Sequence, residues 1–402
     1  MLAGAMMFGM PALPMPTALS PGWTGTFASA AEAVNEPQLT LVGESIVTAG
    51  VRRLSYVWTR VSKTTGKLLS TNVNVLRIDL QHPNVKLDVM VGAGANGKVA
   101  QKANVLQMAV STGAAAGVNG DFFDMTAAEP SPLGPQIAGG KLLTTPTVGL
   151  EGMYAFGITK DNKPVIETFT SRGEVTAANG KKYPLSGLNR VVNSLGNSIY
   201  MYDSSWGGSI RARDASPHTE VLVAGGVVQS IHVGERYTGD IPEGAYILSA
   251  GGEGAKFIAE NVRAGDPIAA AVSLVPVNPN LTYTENDFKM LIGGHTMLVI
   301  DGVPAAFTRD VSSISGNAAR TAVGFTEDRR YVYLVTADDA AGSVGPTLSD
   351  LQALLVQLGV WRAVNLDGGG STTLVARPLG EFQAQLVNAP KDGAMRRGVN
   401  GI

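Results

Sequence analysis

The chain has 402 residues, of which 45% are apolar and 16% charged, with 49 glycines and a formal charge of −2 at pH 7. That is a turn-rich globular composition, long enough for two or three domains, and a near-neutral charge without a long basic run argues against a nucleic-acid protein. There is no cysteine, which excludes disulfide scaffolds, zinc–thiolate sites and cysteine nucleophiles.

The opening "MLAGAMMFGMPALPM" is apolar, and Ala28-Ser29-Ala30 is a small-x-small cleavage site. Residues 1–30 are therefore expected to be an export signal cut after Ala30, giving a secreted or cell-wall-associated protein. The usual basic leader is missing, since the first Lys or Arg is Arg52. No later segment approaches the ~20 apolar residues that a membrane span requires.

Residues 31–70 read as lead-in strands. "VLRIDL" and "VKLDVMV" both alternate around the turn "QHPN", which predicts a hairpin. Val99, Ala103, Leu106, Met108, Ala109 and Val110 have helical spacing and stop at Gly113. "AAGVNGDFFD" then reads as a short buried strand running into a loop. Residues 130–290 are strand-rich and broken by glycine and proline, as in an antiparallel sheet or barrel-like elaboration.

In the last third, "TMLVIDG" reads as a strand, and "RTAVGFT" and "YVYLVTAD" as a hairpin across the turn 327–330. "PTLSDLQALLVQLG" is the strongest helix, with Thr347 and Asp350 spaced as a capping box and Gly359 as its stop. The expected class is α+β: a strand-rich mixed sheet with a few packed helices, plus a mainly antiparallel β insertion over about 145–285.

Two of these strands end in similar polar tips, "GVNGDFFD" and "VNLDGGGSTT". Strand ends on a rigid scaffold are good places to hold reactive side chains. A lone Asn-Gly or Asp-Gly pair is more often a tight turn. Three glycines between Asp367 and the hydroxyls of Ser371, Thr372 and Thr373 point instead to close approach by a ligand, with amides aimed at an anion. The loop is no Walker A motif, because it lacks Gly-Lys-Ser/Thr and precedes a strand. Arg320 suits planar recognition of phosphate, or is a solvated strand-end charge. His295 follows two glycines and is a structural group or a substrate contact. Asp338 and Asp339 bind a cation or form a turn.

Taken in order, "VLRIDL", "GVNGDFFD", "GGHTMLVIDG", "RTAVGFT", "LVTADD", "TLSDLQALLVQLGV" and "NLDGGGSTTLV" resemble the phosphodiester glycosidase family. The resemblance runs from about residue 75 to 402 and makes 71–402 the expected glycosidase domain. It departs from the family pattern at Asp121, where a second glycine is common, and at His295, where smaller residues are common. It implies hydrolysis of a sugar-1-phosphodiester at the glycosidic bond. Asp367 is then the expected base or nucleophile, while Asn119 and Asp121 hold sugar hydroxyls or the attacking water. Arg320, Thr321, Ser371, Thr372, His295 and the amides of Gly368, Gly369 and Gly370 would hold phosphate and substrate. Arg396 or Arg397 falls near a site-adjacent arginine of the family.

No cofactor is required by this chemistry. One alternative is P–O cleavage with Ca²⁺ or Mg²⁺ held by Asp121, Asp339 and Asp367. Another is a non-catalytic surface protein that binds glycans. The expected partner is a phosphodiester-linked glycan or sugar phosphate.

Overall fold

The computed structural model describes residues 36–92, 97–150 and 152–402. The signal expected over residues 1–30 lies outside the described residues. From Pro37 onward the chain forms one compact unit, built on an eight-stranded sheet. Its strands run, across the sheet, Gln38–Thr48, Val51–Val61, Leu68–Asp79, Tyr331–Ala337, Arg320–Phe325, Arg362–Asn365, Met297–Ile300 and Val303–Pro304. Every neighbouring pair in it is antiparallel.

Period-two alternation explains how this sheet buries both faces. In strand Leu68–Asp79, Val73 and Val75 face one layer while Leu76 and Ile78 face the other. On the first face lies helix α3, Leu348–Gln357. Its fully buried Leu348, Leu351, Leu354 and Leu355 pack on Leu54, Trp58, Val75 and Val335. Thr347 caps α3 through the expected box with Asp350, and Gly359 adopts a φ of 75° just past the end. On the second face, Leu76, Val323, Phe325 and Val364 meet Phe156, Ile158, Met290 and Ile292. Those residues belong to a second sheet that includes Tyr154–Thr159, Pro164–Thr176 and Phe288–Gly293.

A third, five-stranded sheet carries helix α2, Gly252–Asn261, against Val221, Val223 and Leu248. Its Gly187–Leu188 strand is parallel to Ile199–Asp203, the one parallel pairing among the described strands. The strand-rich architecture with few helices thus holds, and its mixed character is confined to that small sheet.

Two local expectations change. "VLRIDL" makes no hairpin with "VKLDVMV": Leu68–Asp79 pairs with Val51–Val61 and Tyr331–Ala337, while only Met90–Val91 of the later segment is a strand, paired with Asn400–Gly401. The strand is paired on one side with the preceding strand Val51–Val61 and on the other with the distant Tyr331–Ala337, so no edge is left for the later segment. The helix near residue 100, α1, begins at Val105 because Asn104 caps it reciprocally with Gln107. It ends at Gly113 with a φ of 72°, where the sequence places its stop.

Candidate active site

The two polar tips converge. Strand Ala116–Val118 pairs with Leu374–Ala376, and strand Arg362–Asn365 pairs with the inner strand Arg320–Phe325. Both therefore deliver their ends to one place. Asn119 is the buried joint between them. Its Nδ2 donates to Asp367 O at 2.7 Å, and its Oδ1 accepts from Thr321 Oγ1 at 2.8 Å and from Thr373 N at 3.0 Å. The Asp367 amide returns a bond to Gly120 O at 3.0 Å. The amide side chain thus clamps the tips together, with its oxygen doubly bonded and one of its two Nδ2 hydrogens engaged.

Asp121 and Asp367 line one narrow cleft, open to solvent and with room for about one water molecule, together with Asn119, Gly120, Phe123, Ser371, Arg396 and Asn400. Asp121 is almost fully buried. Its Oδ2 accepts from Gly134 N at 2.7 Å, its own amide donates to Asn400 Oδ1 at 2.8 Å, and its Oδ1 has no protein partner. Two glycines make room for this carboxylate: a Cβ at Gly293 would sit 2.7 Å from Asp121 Cγ and 2.6 Å from Gly134 Cα. Asn400 Nδ2 continues the network to Gln136 Oε1 at 2.6 Å.

Burial raises the pKa of Asp121 to about 7. The Gly134 amide and the Arg190 guanidinium pull it down, and the nearby Asp367 carboxylate adds to the rise. Asp367 keeps part of its surface open to the cleft but is closely surrounded by protein, and this desolvation raises its pKa to about 6. The Ser371 hydroxyl, the Gly368 amide and Arg396 oppose that rise. Gly368 N donates to Asp367 Oδ1 at 2.9 Å, whereas Ser371 Oγ, although beside the carboxylate, completes no aligned hydrogen bond in this rotamer. Two neighbouring carboxyl groups that both titrate near neutrality are the electrostatic signature of this cleft.

The glycine loop is less open to an anion than its composition suggests. Gly369 N donates to Ala319 O at 2.7 Å, Ser371 N to Gly368 O at 3.1 Å and Thr372 N to Gly369 O at 3.2 Å. With Gly368 bonded to Asp367, these amides have protein acceptors already. The glycines matter for proximity: a Cβ at Gly370 would lie 2.5 Å from Arg396 Cζ. Arg396 also pairs with Asp392 at 2.9 Å and reaches Met125 Sδ at 3.4 Å, while Arg397 turns away to Lys102 O at 2.6 Å.

Arg320 and Thr321 point to opposite sides of their strand. Thr321 joins Asn119 and approaches Thr372 Oγ1 at 3.3 Å. Arg320 Nε donates to Pro346 O at 3.1 Å and its Nη2 to Gly316 O, so this guanidinium holds loops and is not among the groups lining the cleft. Burial lowers its pKa to about 10. Asp339 accepts from Lys391 Nζ at 2.7 Å and Gly345 N at 3.0 Å, and Asp338 is buried against Asn388 and Ala389. Asp339 therefore does not join Asp121 and Asp367, and among the described residues no three His, Asp or Glu side chains come together as a metal cage. His295 stacks near Phe122, with centroids 5.4 Å apart, and burial lowers its pKa to about 4, so it is neutral at physiological pH.

Sequence reasoning missed Gly134, Gly293, Asn400 and Arg190. The signal for one of them was on view: in "GGHT" Gly293, and not the histidine, makes room for the Asp121 carboxylate.

Residues 217–402 match the family model described as phosphodiester glycosidase. No curated protein matches the sequence. Among solved structures, a Burkholderia pseudomallei protein of inferred export is similar at a TM-score of 0.72 and 18% identity, over 91% of this chain and 96% of that one. A hypothetical protein from Synechocystis is similar at a TM-score of 0.71 and 19% identity, over 91% of this chain and 63% of that one. The zebrafish N-acetylglucosamine-1-phosphodiester α-N-acetylglucosaminidase catalytic domain, auto-inhibited by its pro-peptide, aligns at a TM-score of 0.46 and 16% identity, over 88% of this chain and 80% of that one.

Proposed function

We propose that the chain, whose residues 217–402 match the phosphodiester glycosidase family model, hydrolyses the glycosidic bond of a sugar-1-phosphodiester, releasing free sugar and a phosphate monoester. The substrate class we assign is an extracellular or cell-wall glycan, with the protein acting after export. The observation that carries this reading is the carboxyl pair Asp121 and Asp367 in one cleft, with raised pKa values and Arg396 beside them.

The chemistry follows from the protonation states. At neutral pH Asp367 is mostly ionised and faces the cleft, so it acts as the base or nucleophile at the anomeric carbon. Asp121 titrates near pH 7, so a substantial fraction carries a proton that its unpartnered Oδ1 can donate to a sugar hydroxyl or to the departing oxygen. A phosphate monoester has a second pKa near ~6 and leaves without strong acid help. Its charge has to be held instead. Arg396 and the Ser371 hydroxyl are the groups in the cleft fitted to do so. Arg320 and the loop amides, already bonded to protein acceptors, act by fixing the tips.

The test is Asp367→Asn assayed on a chromogenic glycosyl phosphodiester. Turnover should fall by at least about a thousandfold, the scale of losing a positioned base or nucleophile, with thermal unfolding no lower than wild type. Near-normal turnover in the variant refutes the assignment.

A further inference from the structure

A second cavity, of about 370 Å³ and open to solvent, lies against the loop that carries Asp121. Its lining includes Asp124, Ser131, Arg190, Asn193, Tyr200 and Arg213. Arg213 has an ion-pair partner, Asp124 at 2.8 Å. Arg190 has none among the described residues, although it is only 3% exposed. Its Nη1 donates to Pro132 O and its Nη2 to Thr147 Oγ1, both neutral acceptors, and its Nε has no partner.

The opposing charge that Arg190 feels is the Asp121 carboxyl, with which it forms no direct ion pair, and a buried guanidinium held off from its counter-charge is costly. Such a group persists where the surrounding structure compels it or where an anion arrives. Here the fold compels it, because Arg190 ties the Pro132 carbonyl to the Thr147 hydroxyl, and its Nε is left without an acceptor. A planar guanidinium flanked by hydroxyl and amide side chains is the arrangement that recognises phosphate or carboxylate oxygens. Arg213 is paired with Asp124, so of the two arginines that line the cavity Arg190 is the one without a direct ion pair among the described residues.

We propose that this cavity is an oxyanion-binding site that takes a phosphate group of the substrate beyond the bond that is cut. It depends on the glycosidase reading only for the identity of that substrate. Arg190 is the buried cation of the site, and Tyr200, Asn193 and Arg213 form its walls. The enzyme then engages a chain of repeated phosphodiesters at two points, one reacting and one anchoring.

The experiment is a calorimetric titration of the full chain with inorganic phosphate and with a glycerol phosphate oligomer. Four proteins are compared: wild type, Asp367→Asn, Arg190→Gln and Val148→Asp. Val148 lines the cavity and is 65% exposed, so the new carboxylate at that rim leaves the core intact even if Arg190→Gln fails to fold. Phosphate should bind wild type and Asp367→Asn alike. Val148→Asp should weaken it by about tenfold, the order expected of a like charge at the rim, and Arg190→Gln by at least as much. Absence of saturable binding overturns the site, as does undiminished affinity in Val148→Asp. Binding that tightens in Asp367→Asn and is undiminished in Val148→Asp would move the anion to the reacting cleft, which also overturns it. Should the glycosidase reading fail its own turnover test, this titration still decides the anion site.

Discussion

Asp121 owes its place to what its neighbours lack. Gly134 and Gly293 have no side chains there, and a methyl on Gly293 would press on Gly134 Cα at 2.6 Å and on Asp121 Cγ at 2.7 Å. Backbone cannot yield as a flexible side chain does, so Gly293→Ala should cost roughly 1–3 kcal/mol and most of the activity, read by denaturant unfolding and by turnover. A variant with wild-type stability and rate would show that the carboxylate is not held where it is described. The raised pKa values give a second outcome at this scale. If Asp367 must be ionised and Asp121 protonated, kcat/KM should climb as pH rises through about 6 and fall above about 7. Those limbs belong to the pair and not to either residue alone. Much of this was legible beforehand: Asn119, Asp121, Asp367 and Ser371 were named from two glycine-rich tips and Thr321 from the family resemblance, and they do meet. Arg320 was misjudged because an arginine beside Gly and Ala looks free in sequence, whereas strand alternation turns it away from Thr321 and onto the Gly316 and Pro346 carbonyls. Arg190 could not be read at all, since its burial depends on residues 132 and 147 folding over it.

Among elements, α3 was the most legible because every signal agreed: cap, box, leucine stripe and stop. Thr347→Ala removes the hydroxyl that accepts from Asp350 N at 3.1 Å, and should lower stability by about 1 kcal/mol while leaving turnover unchanged, since α3 packs on the sheet face away from the second sheet. A loss of activity out of proportion to the melting shift would tie α3 to the site. The hairpin expected around "QHPN" failed for the opposite reason. Local alternation says that a strand exists but not which strand it joins, and Leu68–Asp79 is claimed on one side by the preceding strand Val51–Val61 and on the other by the distant Tyr331–Ala337. In the third sheet, Arg211 and Glu220 form a buried pair at 2.6 Å, extended by Ser249 and the Tyr237 amide. Nothing in the spacing "RARDASPHTE" announces it, because the pair is made by strand packing and not by sequence proximity.

For the molecule as a whole, the carboxyl pair links function to stability. Burial raises both folded-state pKa values above the ordinary aspartate value of 3.8. Below about pH 4 both carboxyls are protonated folded or unfolded, and they cost nothing. As pH rises toward 7 the unfolded chain releases these protons first, so stability falls, by on the order of 3 kcal/mol per group. Asp121→Asn should therefore melt increasingly above wild type as pH goes from 5 to 8, measured by thermal unfolding across that range. Parallel profiles would mean that the carboxylate is solvated. The global layering was only partly readable: strand-rich composition was evident, but which sheets face each other was not. The claim on which the rest depends is that the bond cut is the one between the anomeric carbon and oxygen. Hydrolysis of a glycosyl phosphodiester in ¹⁸O-labelled water, followed by NMR of both products, tests it directly. The label should appear in the free sugar and be absent from the phosphomonoester; label in the phosphate would mean P–O cleavage and would contradict the account.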